Sequence, residues 1–175
     1  MVNRYKTKDG RVAQFQLGYQ GFITLGYRAG NRDIVAEPVR RNDVFKISRG
    51  KITHDVDPLK SRKERGDVIG YYAIITTATG GTVETFMRTE DIEAHAKKFS
   101  KSYSSSYSSW NPENDPEGWM PRKTVLKQAF KLAPKNETIA RALELDNRDS
   151  IISDREERQR IDAAALKEGA PTIRT

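Results

Sequence analysis

The residues of this chain best suited to holding a ligand are cations set at helical spacing. In the stretch from Trp119 to Lys135, Lys123, Lys127 and Lys131 recur every fourth position, with Arg122 and Lys135 beside them and no acid from Gly118 through Lys135. On a helix this interval places the three lysines on one drifting ridge, rising roughly 6 Å from each to the next. That rise is close to the spacing of phosphates in an extended single strand. Such a row neutralises a phosphodiester backbone and holds it without reading its bases. A plain solvated helix face is the competing reading, because lysine favours helices and is commonly exposed.

The compact set of residues suited to acid–base or metal chemistry is His54-Asp55-Val56-Asp57. Asp55 and Asp57 share one face of a strand, so both carboxylates could reach a divalent ion, as a metal-dependent nuclease using His54, Asp55 and Asp57 would require. A strand end running into a turn at Pro58 accounts for the same residues more simply. His95 reads as a surface residue on a polar helix face, without a partner. No Ser/His/Asp set and no activated lysine can be argued. Gly80-Gly81 is followed by neither Lys-Ser nor Lys-Thr, so it reads as a hairpin turn and not a phosphate loop. No catalytic residue, cofactor or metal is assigned.

The elements that must position the cations follow from periodicity. Pro121 suits the first turn of a helix, Pro134 ends it, and Leu126, Ala129, Phe130 and Ala133 mark its inward face. A helix capped by Thr89 runs to about Ser100, with Glu90 and Asp91 in its first turn and Lys97, Lys98 and Lys101 towards its end. It leads into a serine-rich segment, Ser100–Trp110, expected to be mobile unless a ligand or partner orders it. Tyr103, Tyr107 and Trp110 interrupt that segment, either presenting rings to bases or anchoring the loop.

Upstream, Arg11–Leu17 alternates like a strand, and Tyr19–Ala29 reads as a short helix closed by Gly30 and Asn31. Ile34–Phe45 and Phe45–Val56 read as paired strands, with the Ser48-Arg49-Gly50-Lys51 turn inside the second pair, and Asp57–Asp67 as an exposed loop. Val68–Thr79 and Thr82–Met87 form a hairpin around Gly80-Gly81. Residues 136–147 read as a helix, and Ser153-Asp154-Arg155-Glu156 as a capping box opening a charged helix that ends near Gly169. The expected organisation is a core over residues 1–147 followed by a charged C-terminal helix or tail over 148–175.

Composition sets the outer bounds. At 175 residues, with 36% hydrophobic residues and a mean hydropathy of -0.75, the chain fits one open domain with an appended segment. There is no cysteine, which excludes disulfides and thiolate zinc sites. No apolar run approaches membrane-spanning length and no signal peptide is read at the polar start, so a cytoplasmic location is the default. A net charge of +7 favours a polyanionic partner. Residues 1–110 hold 19 Lys+Arg against 12 Asp+Glu, whereas residues 111–175 hold 12 of each, with the cations of that part concentrated at Arg122–Lys135.

Gln14-Phe15-Gln16-Leu17-Gly18-Tyr19-Gln20-Gly21-Phe22-Ile23 resembles the first block of the RecT family of phage single-strand annealing proteins. Ile75–Met87, the Glu90–Ser102 helix ending in Lys97-Lys98-Phe99-Ser100-Lys101-Ser102, Trp110, and Met120–Lys127 resemble its later blocks in the same order. The likeness covers most of residues 11–146. It implies an α+β fold, with an antiparallel sheet and helices forming a basic groove. It also implies ATP-independent coating of single-stranded DNA and annealing of complementary strands in phage recombination, within a bacterial cell. Homo-oligomeric rings or helical filaments are implied, with a phage exonuclease or a host single-strand-binding protein as further partners. By similarity, Arg122, Lys123 and Lys127 fall on the family's basic helix and Lys97, Lys98 and Lys101 on the basic element before it. With Lys131, Tyr103 and Trp110 these are the expected DNA-binding residues. The family's helical segment ahead of the Gln-Phe-Gln block is reduced here to about a dozen residues, so an N-terminally short form is expected. Such a form could also act only as a nucleic-acid-binding or oligomer-capping module.

Overall fold

The computed structural model describes residues 2–7, 10–15, 17–100, 102–133 and 137–146, and the charged C-terminal helix read from the sequence lies outside them. The chain divides into two compact units, one of residues 1–16 with 143–175 and one of Leu17–Ala142. In the first, β1 (Val2–Thr7) and β2 (Gly10–Phe15) form an antiparallel hairpin in register from Val2↔Phe15 to Thr7↔Gly10. The alternation over Arg11–Leu17 corresponds to β2. Its partner β1 shows no comparable alternation and was not expected.

The larger unit is built on a three-stranded antiparallel sheet ordered β3 (Asp33–Arg40), β6 (Val68–Thr76), β7 (Thr82–Arg88). The β6–β7 hairpin forms as its sequence indicates: Thr77 and Gly81 close the loop by a backbone bond of 2.8 Å, and Gly80 takes φ +88°. The expected pairing of residues 34–45 with 45–56 does not occur. β3 pairs instead with β6, from Asp33↔Thr76 to Arg40↔Val68. A turn at Asp43 ends it, where the Arg40 N–H donates to the Asp43 carboxylate at 2.8 Å. β4 (Val44–Ser48) and β5 (Lys51–Asp55) then form their own hairpin. Its two-residue turn has positive φ at both Arg49 (49°) and Gly50 (76°), as a right-twisted hairpin favours. Pairing with β6 wins because Ile34 and Ala36 on one face of β3 and Val39 on the other are all buried beside the central strand, while Pro38 is tolerated at an edge.

Five helices are found among the described residues. α1 (Tyr19–Arg28) ends where Gly30 takes φ +86° and the Asn31 amide donates to the Gly26 carbonyl at 2.9 Å. A single-turn helix, α2 (Arg62–Arg65), interrupts the expected loop and carries a capping box between Ser61 and Glu64. α3 (Thr89–Phe99) starts one residue earlier than expected: Arg88 is the N-cap, and the Thr89 hydroxyl donates to the Val68 carbonyl at 3.1 Å. α4 (Trp119–Leu132) carries Pro121 in its first turn. It stops at Ala133, whose φ of -69° and ψ of 152° are those a following proline imposes. α5 spans residues 137–146.

α4 lies across all three strands of the sheet and touches α1 and α3. Val125, Leu126, Ala129 and Phe130 are wholly buried, and the Phe130 ring stacks 6.0 Å from Phe22 of α1. Burying a side chain such as Leu126 or Phe130 contributes roughly 1.5–3 kcal/mol. α1 approaches so closely that a Cβ on Gly26 would lie 2.2 Å from Ile34 Cδ1 and 2.8 Å from Phe130 Cζ. Gly26→Ala is therefore expected to destabilise the larger unit by roughly 1–3 kcal/mol despite alanine's better helix propensity, as a denaturant midpoint will read out.

Candidate nucleic-acid interface

Burial of the Leu126–Phe130 face turns the lysines of α4 to its rim, where Lys123 and Lys127 are half-buried and Lys131 is exposed. Lys131 Nζ donates to Gln128 Oε1 at 3.0 Å, and Lys123 Nζ sits 5.9 Å from the centre of the Phe22 ring. Lys97 and Lys98 are exposed on the last turn of α3. Lys101 lies outside the described residues.

His95 lies on α3, the helix that carries Lys97 and Lys98. It is half-buried, not the surface residue its polar helix face suggested, because α3 and α4 pack together along that side. Its ring lies 4.6 Å from Phe99, and its Nδ1 is buried without a hydrogen-bond partner. Desolvation, and then the positive charges of Lys131, Lys127 and Lys98, lower its pKa below the ordinary 6.5. Lysines from two helices thus bear on one imidazole.

A second group lies at the end of α3. Lys97 pairs with Glu93 at 3.9 Å, and its ammonium stands 5.7 Å from the Tyr103 ring. Tyr103 faces Trp110 with ring centroids 6.5 Å apart, both half-buried, so these two rings anchor the loop.

Arg122 is held by the fold. Its guanidinium donates to the Glu37 carboxylate at 2.8 Å and the Ala36 carbonyl at 2.9 Å, and stands 5.3 Å from the Trp119 ring. Only 13% of that side chain is exposed. Periodicity could not separate it from its lysine neighbours, because its acid partner is 85 residues away. Asp115 was also missed. Its carboxylate accepts the N–H groups of Trp119 and Met120, both at 2.8 Å, and so occupies the positive end of α4. The only sequence signal for it is an acid a few residues ahead of the first helical turn.

The trio required for the nuclease alternative is not assembled. His54 points inward from β5, with Nε2 3.0 Å from Asp43 Oδ2 and Nδ1 3.3 Å from the Tyr72 hydroxyl. Asp55 and Asp57 face outward and are exposed. Strand alternation explains the separation, since neighbours on β5 point to opposite faces. Among the described residues no group of three His, Asp or Glu side chains is gathered as a metal ion needs. Asp43 is instead the hub of a buried network: Arg65 donates to both its oxygens, at 2.7 and 2.8 Å, and only 1% of the Asp43 side chain is exposed.

Fold and site together define a basic, antiparallel α+β protein in which two helices that pack together both carry lysines. The chain belongs to the RecT family, whose model matches residues 1–162. It is 30% identical over 154 residues to the uncharacterized protein YqaK of Bacillus subtilis, covering 87% of this chain and 49% of that one. To protein RecT of Escherichia coli it is 26% identical over 156 residues, covering 87% and 54% respectively. The chain thus spans about half the length of these curated relatives. Among the described residues no helix is long and apolar enough to cross a membrane.

Two titrations test this account. Because the folded-state pKa of His95 is lowered, the unfolded chain binds its proton more readily. Stability from this site is complete above the ordinary 6.5 and declines as pH falls below it. His95→Phe is expected to flatten the dependence of the unfolding free energy on pH between about 7 and 5. Arg65, then the Arg40 N–H and His54, hold Asp43 far below the usual carboxylate range, so its contribution persists above 3.8 and is lost as pH falls through the folded value. Asp43→Asn should cost roughly 3 kcal/mol at neutral pH, and the deficit should shrink in acid, as urea titrations at pH 7 and pH 3 will compare.

Proposed function

We propose that this protein binds single-stranded DNA along the α3–α4 seam and anneals complementary strands without nucleotide hydrolysis, as a recombination protein. The observation that carries this reading is that α3 and α4 pack together, with Lys97 and Lys98 exposed on the one and Lys131 exposed beside half-buried Lys127 on the other. Membership of a family of DNA recombination and single-strand annealing proteins supports it. Ammonium groups at that seam hold phosphates and leave base edges free, which pairing with a second strand requires. Pairing releases its own free energy, so the protein has only to extend the strand and relieve repulsion between the two backbones. Lys97, Lys101 and Lys123 extend the contact in this proposal, Tyr103 and Trp110 brace it, and Arg122 sets the helix against the sheet. Self-assembly into rings or filaments on DNA belongs to the same proposal, as do contacts with a phage exonuclease or a host single-strand-binding protein.

Mixed with two complementary oligonucleotides in the absence of ATP, the protein should accelerate duplex formation at low salt and lose that effect as salt rises. No acceleration at any salt concentration sinks the proposal. Lys98→Ala and Lys127→Ala are each expected to weaken single-strand binding equally for all sequences. Each should also flatten the slope of log affinity against log salt by about 0.7, one single-strand phosphate contact. A loss confined to particular sequences contradicts a phosphate role.

A further inference from the structure

The serine-rich connection between α3 and α4 is not a slack linker. Backbone bonds spanning three residues run along it, from Tyr103 to Ser100, Ser105 to Ser102, Ser108 to Ser105 and Asn111 to Ser108, at 2.9–3.2 Å. Within this run of turns the three aromatic residues part company. Tyr103 and Trp110 are half-buried against each other, whereas Tyr107 between them is 91% exposed.

That exposure is held in place from both sides. The Asn114 amide donates to the carbonyls of Ser106 at 2.8 Å and Ser108 at 3.0 Å, the residues flanking Tyr107. The Tyr107 N–H donates to Ser105 Oγ at 3.3 Å, and Ser108 is 1% exposed. The backbone carrying the ring is therefore ordered before any ligand arrives, which removes part of the entropic cost of binding. The ring's sequence neighbours Ser104, Ser105, Ser106 and Ser109 are exposed hydroxyls. Along the chain the ring is thus flanked by hydroxyls and not by the apolar side chains a protein partner would want. A single aromatic face among hydroxyls, on a loop joining two cation-bearing helices, suits a nucleobase.

We infer that Tyr107 is a base-stacking contact, presented by the Asn114 clamp to a strand whose phosphates lie along the lysine seam. This inference rests on the single-stranded DNA reading above and adds the residue that meets the bases. The test compares the full chain's affinity for a single-stranded oligonucleotide with that for an abasic oligonucleotide of the same length. Tyr107→Ala should weaken binding to the base-bearing strand about tenfold, a typical effect of losing one base–aromatic stack, and leave abasic binding unchanged. Tyr107→Phe should retain affinity, and Asn114→Ala, which frees the flanks but keeps the ring, should show part of the loss. Unchanged affinity of Tyr107→Ala for the base-bearing strand overturns the inference, as does an equal loss on both strands. A smaller DNA-free assembly for Tyr107→Ala assigns the ring to a second copy of the chain and also overturns it. A native chain that binds neither oligonucleotide instead removes the single-stranded DNA reading itself.

Discussion

The arrangement of the larger unit depends on α4 burying one face across the β3–β6–β7 sheet. Val125, Leu126, Ala129 and Phe130 have no exposed surface, and three strands and two helices meet this one element. At 3.6 residues per turn, seating that stripe leaves only the rim for the positions between. Lys123, Lys127 and Lys131 reach the solvent edge through this constraint. The close approach at Gly26 and the Phe22–Phe130 stack fix the same element from its other side.

The fold divides its charges by role. Arg122 is drawn inward by Glu37 and the Ala36 carbonyl, and Arg65 by Asp43, so these guanidiniums join segments distant in sequence. Planar, multiply donating groups suit such junctions better than lysine does. Lysines from α3 and α4 instead share a seam with a half-buried histidine whose protonation they oppose. The Asp115 carboxylate occupies the start of α4, so the N–H groups of Trp119 and Met120 are already engaged.

Much of the local structure was legible in the sequence. Helix α4, its proline boundaries and its buried stripe followed from period and composition, as did the β6–β7 hairpin and the glycine-terminated α1. The ordered blocks that resemble the RecT family were legible too, and the family match over residues 1–162 bears them out. Other features left weaker marks. The Ser61–Glu64 capping box was spelled out yet lay hidden in a charge-rich loop. The partner of β3 was misassigned because alternation identifies a strand's buried face without naming the strand beside it.

By itself the sequence determined which residues form helices and hairpins, which faces are apolar, and that cations recur along α3 and α4. These properties depend on residues within a few positions of one another. Tertiary structure alone decided that Arg122 is tied to Glu37 and the Ala36 carbonyl, that His54 and Asp55 face opposite ways, that His95 is half-buried with an unpartnered Nδ1, and that Tyr107 stands out while Tyr103 and Trp110 turn in. Each of those outcomes is set by packing or hydrogen bonding, and for Arg122, His54 and His95 the deciding partner is distant in the chain. Local spacing carries no information about a side chain's distant neighbours, and it is those neighbours that separate a structural cation from a binding one.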